Sequence, residues 1–425
     1  MAAMTVQEII AAKRDGQENS PEQLEFISRG AADGSIPDYQ LSAWLMAVYL
    51  NGMTPKETAD LTLAMAASGD RLDLTGIPKP WVDKHSTGGV GDKTTLVLLP
   101  LLCACGLTMV KMSGRGLGIT GGTIDKLESI PGFRTDMSPE EMIAQAKLVG
   151  IALTGQTPKL APADKVFYAL RDVTSTVSSL PLIVSSILSK KIAGGAETVV
   201  LDVKCGSGAF MKSIEEARKL RDSLVSVGEL AGLNVAAEIT DMNQPLGRSI
   251  GNALEVKEAI RVLRGEEQGR FRELCLEMAG HTLEMVGETD GRAKAEKTLD
   301  SGFALQSAMH WFHAQKGGVA VFDDEDWQTA PVVTEIRAKE DGWVSGIDAG
   351  QVGAYVVDLG GGRKKKSDEI DHTVGIELSV EVGSQVEKGS LLAKIHSREA
   401  IDISRAEDLF KIVDIATSPW PLILD

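Results

Sequence analysis

The chain of 425 residues lacks most of the features that would set it apart from an ordinary globular enzyme. It has four cysteines, Cys103, Cys105, Cys205 and Cys275. They form no CxxC pair and no set with histidine at zinc spacing, so a disulfide framework and a zinc module are excluded and a reducing, cytoplasmic compartment is expected. Low-complexity tracts are missing, and 43% hydrophobic with 24% charged residues suits a packed core rather than disorder. No internal repeat of fixed period is apparent. The opening MAAMTVQEIIAAKRDG lacks the basic start and apolar centre of a secretory leader. Thr94 to Val110 is apolar but contains Pro100 and Gly106, so a buried helix is expected there, not a membrane span.

Basic excess is lacking too. Lysine and arginine number 44 against 60 aspartates and glutamates, a net charge of −16 that repels polyanions and argues against nucleic acid as a partner. A small anion is still admissible, because a local pocket of amides and lysines outweighs a screened global charge. The length exceeds one ordinary core, so two or three domains are expected.

Two dense loops of glycine, hydroxyl and lysine stand out: KHSTGGVGDKTT from Lys84, and SGRGLGITGGTIDKLE from Ser113 to Glu128. Glycine lets backbone N–H groups approach an anion closely, hydroxyls add donors, and Lys84 with Arg115 or Lys111 supplies charge. The pattern implies an oxyanion cradle, most simply for phosphate. It is not a Walker A loop, since GxxxxGK followed by Ser or Thr is absent. Gly116 to Gly121 satisfies GxGxxG, but without a strand, tight turn and helix in a first βα unit the match carries no dinucleotide reading.

The first seventy residues are helical by their punctuation. Ser20-Pro21-Glu22-Gln23 and Thr54-Pro55-Lys56-Glu57 each place an N-cap, a first-turn proline and a capping-box residue. Between them, LSAWLMAVYLNGM has an apolar face that suits either a subunit interface or an internal core. From about Gly76 to Asp324, short β runs (MVKMSG, IALTG, TVVLDVKCG, NVAAEIT) alternate with glycine turns and helices, one of them opened by Ser138-Pro139-Glu140-Glu141. That alternation predicts an α/β fold with a mainly parallel sheet and ligands at the strand C-termini. Tyr168 to Gly195, with Pro181 opening a helix, belongs with the N-terminal helices.

After Trp327 the chain reads as β-rich, with AYVVDLGG among the strands and RKKKSDE (363–369) as a solvated loop. A carrier domain is excluded because no lysine lies between methionines at a hairpin tip. The expected division is a helical domain over 1–70 completed by about 163–195, an α/β phosphate-binding domain over 71–330, and a β-rich domain over 340–425.

The two loops, together with YALRDVTSTV, Ser185 to Lys191 and DVKCGSGAFMK, closely resemble the thymidine and pyrimidine-nucleoside phosphorylases, nearly end to end. The resemblance implies a C-terminal α/β-hammerhead module, a homodimer, and reversible phosphorolysis of uridine, thymidine and deoxyuridine with no organic cofactor. By the same resemblance Lys84, His85, Ser86, Thr95, Lys111, Met112, Ser113 and Thr123 hold phosphate. Arg171, Ser186 and Lys190 hold the base, and Leu117, Ile183 and Phe210 wall the pocket. Lys111 is the mark of the broad-specificity branch.

Residue chemistry supports these roles. Phosphorolysis needs one field that orients a dianion and a second that stabilises an anionic leaving base. Ser186 and Lys190, four apart, share a helical face and can meet one edge of a planar base. His85 is the one residue of the set whose ordinary pKa suits proton donation near neutrality.

Two positions depart from the pattern. Ile119 stands where the family usually has His, which removes a polar group beside the phosphate and sugar site. A monovalent cation such as K+ is implied at Gly91, Lys93, Leu246, Ser249 and Glu258, but Lys93 replaces a small or uncharged residue and its ammonium can take the ion's place. The alternatives are a thymidine-restricted phosphorylase, an anthranilate-phosphoribosyltransferase-like glycosyl transferase, and a non-catalytic binding protein, which would be expected to lose Arg171 and Lys190.

Overall fold

The computed structural model describes residues 4–424 apart from Leu117, Gln156, Pro158 and Lys366, so the expected role of Leu117 lies outside the described residues. Four helices open the chain: α1 (Val6–Arg14), α2 (Pro21–Asp33), α3 (Asp38–Asn51) and α4 (Pro55–Ala66). Ser20 caps α2 in a reciprocal box with Gln23. Thr54 caps α4 by accepting from the Glu57 amide. The Glu57 carboxylate does not return to the cap as expected. It turns inward to accept from the Asn19 amide at 2.7 Å and to pair with Lys13 at 2.6 Å. A buried ion pair has taken the place of a capping contact.

Further along come β1 (Trp81–Ser86), α5 (Thr94–Ala104), β2 (Thr108–Met112), α6 (Thr123–Glu128), α7 (Pro139–Val149) and β3 (Ile151–Thr154). The helices α8 (Pro162–Val173) and α9 (Leu180–Ala193) follow. As the proline punctuation implies, Ala163, Phe167 and Leu182 pack in one apolar cluster with Leu24, Trp44 and Leu61 of the opening helices. The next elements are β4 (Thr198–Cys205), α10 (Ile214–Leu230), β5 (Asn234–Asp241), β6 (Ser249–Ile250), α11 (Asn252–Leu263), α12 (Arg270–Met285), α13 (Gly291–Asp300) and α14 (Phe303–Ala314).

The five-stranded sheet has the order β3-β2-β1-β4-β5, and every pairing in it is parallel. The chain leaves β1 toward β2 on one side and β4 toward β5 on the other. The switch point therefore lies at the C-terminal ends of β1 and β4, where parallel sheets bind ligands. The buried strands are largely apolar, but β1, β2, β4 and β5 also carry charged groups inside: Asp83 and Lys84, Lys111, Asp202 and Lys204, and Asp241.

The remainder comprises β7 (Val332–Arg337), β8 (Gly342–Ile347), α15 (Ala349–Asp358), β9 (Gly375–Leu378), β10 (Gln385–Val386), β11 (Leu391–Ser397), α16 (Ser404–Glu407) and β12 (Phe410–Val413). AYVVDLGG is thus the last turns of a helix and the turn that ends it, not a strand. Asp348 caps α15 by accepting from the Gln351 amide, and Val352, Tyr355 and Val356 bury one side at helical spacing. This module is sewn to the α/β lobe. β6 pairs with β9, and near the C-terminus Leu424 N donates to Ile239 O and Asp241 N to Leu422 O. No helix among the described residues is long and apolar enough to cross a membrane.

Candidate active site

The first glycine loop follows β1. Lys84 is buried; its ammonium donates to Thr94 Oγ1 at 2.5 Å and lies 3.8 Å from Asp202. The loop is closed by Asp92, which accepts from the Ser86 hydroxyl and from Thr94 Oγ1 at 2.7 Å. Burial alone would raise the Asp92 pKa, but the Lys84 and Lys204 charges and these two hydrogen bonds hold it far below the usual carboxylate range. Lys84 and Ser86 are thus both fixed in the first loop by Thr94 and Asp92. Thr95 is buried in the first turn of α5, and its neighbour Thr94 is the hydroxyl in contact with Lys84.

The second loop leaves β2, with Ser113 N donating to Thr154 O at 2.9 Å, and closes at Thr123, the first residue of α6. It folds tightly on itself: a Cβ on Gly116 would lie 2.6 Å from Gly122 N. Asp125 accepts from Gly116 N at 2.6 Å and from Arg363 Nη1 at 2.8 Å. Gly118 N donates to Arg363 O. The 363–369 segment is therefore not a purely solvated charge run; its first residue clamps the glycine loop. Met112 also differs from expectation. Its side chain packs with Val110, Met137 and Met142, which makes it a core residue.

Lys111 is buried on β2, bound to the Lys84 carbonyl and 3.4 Å from Asp83. Asp83 in turn pairs with Lys191 at 2.7 Å. Desolvation pushes the Lys111 pKa down to about 7; Asp83 opposes the shift, and Lys191 and Lys84 reinforce it. His85 is half-buried at the end of β1. Desolvation, then the charges of Lys191, Lys111, Lys190 and Lys84, hold its pKa well below the ordinary 6.5. The shift runs against proton donation by His85 in the absence of a bound anion. Among so many lysines the imidazole is held toward its neutral form.

The second field lies on α8 and α9. Arg171 is buried, and its guanidinium is fixed by the carbonyls of Val177 at 2.5 Å, Leu182 at 3.1 Å and Thr176 at 3.3 Å. Three of its five donors are committed, so the plane is set before any ligand arrives. Lys190 Nζ donates to Ser186 Oγ at 2.9 Å, as the spacing of four predicts, and to Asp164 Oδ2 at 2.5 Å. Ile183 is partly buried against the α9 cluster, and Phe210 is exposed in the loop after β4.

Sequence reading misses Asp83, Asp92, Asp125, Asp164 and the Asp202–Lys204 pair. Only Asp92 has a local signal, an acid two residues before a threonine at a helix start. Ile119 is half-buried at the tip of the second loop. A Cβ on Gly353 of α15 would lie 2.5 Å from Ile119 O and 2.7 Å from Val90 Cγ2, so this position packs against the C-terminal module.

Residues 78–305 match the Glycosyl transferase family, a/b domain, and residues 7–69 its helical bundle domain. Residues 343–413 match the pyrimidine nucleoside phosphorylase C-terminal domain. The pyrimidine-nucleoside phosphorylase of Geobacillus stearothermophilus is 48% identical over 98% of this chain and 97% of its own length. The protein of the same name from Bacillus subtilis (strain 168) is 47% identical over 98% of both chains. Anthranilate phosphoribosyltransferase from Thermus thermophilus shares the fold, with TM-score 0.58 and 19% identity, over 73% of this chain and 99% of its own. With two cationic fields meeting at the sheet's switch point and these matches running almost end to end, the chain belongs to the pyrimidine-nucleoside phosphorylase family.

Proposed function

We propose that the chain catalyses reversible phosphorolysis of pyrimidine nucleosides to free base and the α-1-phosphate of the pentose. A phosphate oxygen attacks C1′ on the face opposite the base. The C1′–N1 bond breaks, its electron pair leaves with the base and spreads over the ring carbonyls, and the configuration at C1′ inverts.

The observation that carries this reading is that the two cationic groups adjoin: Lys111 on β2 binds the Lys84 carbonyl beside His85, and α9, which carries Lys190 with Ser186, is tied to β1 through Lys191 and Asp83. Lys84, Ser86, Ser113 and Thr123 orient the dianion. Arg171 and Ser186 hold the base edge, and Lys190 meets the charge that develops on it. Donors fixed in advance are worth ~2.7–4 kcal/mol each to such a barrier. Bound phosphate offsets the lysines around His85, which raises its pKa back toward the ordinary value and favours the protonated ring as a donor to a base carbonyl. Release of thymine that requires phosphate and yields the α-1-phosphate, read by phosphorus NMR, supports this assignment. Release in phosphate-free buffer, or free sugar as product, contradicts it.

Substrate breadth rests on Lys111. Of its three donors, two are committed to Asp83 and the Lys84 carbonyl, and the third supports a contact with the 2′-hydroxyl or the phosphate. Uridine should therefore react as well as thymidine. The active form is a homodimer through α3, which exposes Tyr39, Met46, Tyr49 and Leu50 at helical spacing. Met46→Asp should give a monomer by light scattering, and an unchanged dimer would exclude this face. The four free cysteines support a reducing, cytoplasmic location.

A further inference from the structure

Lys93, the residue before α5, ends the first glycine loop with its side chain completely buried. Its ammonium donates to Leu246 O at 2.7 Å and to Ser249 O at 2.8 Å, and it lies 2.7 Å from Glu258 Oε2. Three N–H groups meet three oxygens. The Phe271 ring, its centroid 5.1 Å from the ammonium, closes another side. Glu258 is itself fixed, accepting from Arg248 N at 2.8 Å and Ser249 N at 2.7 Å.

There is little slack around this centre. Gly91, at φ +73°, brings the loop so close that a Cβ would lie 2.7 Å from Leu246 O. A Cβ on Gly247 would lie 2.9 Å from Lys93 Nζ. Two carbonyls and one carboxylate are the hard oxygen set that a dissolved cation takes. All five positions implied for the family's monovalent ion do converge here, but the residues do not fit an ion. The donor set is filled and its charge is already neutralised by an ammonium from the same chain.

We propose that Lys93 is a tethered substitute for a monovalent cation, which makes the anchorage of the phosphate loop independent of dissolved K+. Because the ammonium joins the 86–93 loop to the 246–249 turn and α11 through a side chain of the loop itself, no dissociation step or ion concentration governs the order of the loop. Potassium should instead become a ligand only when the lysine is shortened and its acceptors are left unpaired.

The test compares melting temperature and the KM for phosphate in K+ and in tetramethylammonium at equal ionic strength. The wild type should be indifferent to the change of cation. Lys93→Ser should melt lower and show a KM for phosphate raised by roughly tenfold in tetramethylammonium, with K+ restoring both. In Lys93→Gln the amide fills the space, and K+ should change neither quantity. A wild type stabilised or activated by K+ overturns the proposal, as does a Lys93→Ser variant indifferent to K+, or a Lys93→Gln variant rescued like Lys93→Ser. The KM arm rests on the phosphate reading of the loop. The melting arm does not, so failure of one is distinguishable from failure of the other.

Discussion

The two halves of the proposed active site are both cationic and both largely buried, yet they are built in opposite ways. The base-facing half is local. Arg171 is held by carbonyls five to eleven residues away, and Lys190 by Ser186 and by Asp164, 26 residues away. The phosphate-facing half is assembled from distant pieces: Lys93 reaches 153 residues to Leu246 and Asp125 reaches 238 residues to Arg363. Its lysines are also cross-braced by carboxylates, with Asp83 between Lys111 and Lys191 and Asp202 between Lys84 and Lys204. A field meant for a dianion needs several cations close together, and in a dry interior these are tolerable only with interleaved acids. A field meant for one negative charge that grows during the reaction needs a single ammonium and a rigid frame.

Damage to the base half should therefore appear in turnover, and damage to the phosphate half in phosphate affinity. Lys190→Ala should lower kcat by about 100- to 1,000-fold, whereas Ser186→Ala should cost about tenfold. Equal, small losses would remove Lys190 from its role. Asp125→Asn, which loosens both the Gly116 amide and Arg363, should raise the KM for phosphate by roughly tenfold and leave the KM for nucleoside nearly unchanged. A change confined to the nucleoside would place the glycine loop on the wrong half.

Lys111→Met should lower the uridine-to-thymidine ratio of specificity constants by about tenfold, since a ribose hydroxyl then faces no partner. Uniform slowing would reduce the lysine to a bracing role. The same residue sets a pH dependence. With its pKa lowered to about 7, Lys111 is charged below neutrality and neutral above it. The affinity of sulfate, whose own charge does not change there, should fall as pH rises through 7 in the wild type and not in Lys111→Met. Between about 7 and its ordinary 10.5 the unfolded chain binds a proton at this lysine that the folded chain does not. That contribution makes stability rise with pH in this window, and Lys111→Met should lack it. Smallest of all, Ile119→His should alter kcat by less than Ser186→Ala, because the Ile119 backbone is packed closely against Gly353 of the C-terminal module.

The same contrast explains what can be read from the chain. Ser186 and Lys190 are legible because four residues along a helix place them side by side, and Arg171 lies on the helix just before them. The parallel sheet, the proline-opened helices and the return of Tyr168–Gly195 to the N-terminal helices follow from periodicity and capping. The acids of the phosphate half are not legible, since nothing in the local pattern of Asp83 or Asp125 says which distant lysine or arginine will meet it. Glu57 reads as a capping partner because the cap motif is local; its pairing with Lys13 is not. AYVVDLGG reads as a strand from its β-branched residues, and tertiary burial of Val352, Tyr355 and Val356 on one helical side overrides that propensity. For His85 the sequence offers only the pKa of an isolated imidazole, and the lysines that depress it come from β1, β2 and α9.

In the proposed mechanism Lys190 stabilises charge on the departing base while the phosphate half holds its anion throughout. The most direct measurement is single-turnover phosphorolysis, at saturating phosphate, of a series of 5-substituted deoxyuridines whose bases differ in acidity, in the wild type and Lys190→Ala. The rate should depend more steeply on base acidity in Lys190→Ala, with the largest loss for thymidine and the smallest for the most acidic base. A loss of the same size for every base would contradict the claim and make Lys190 a residue that only binds.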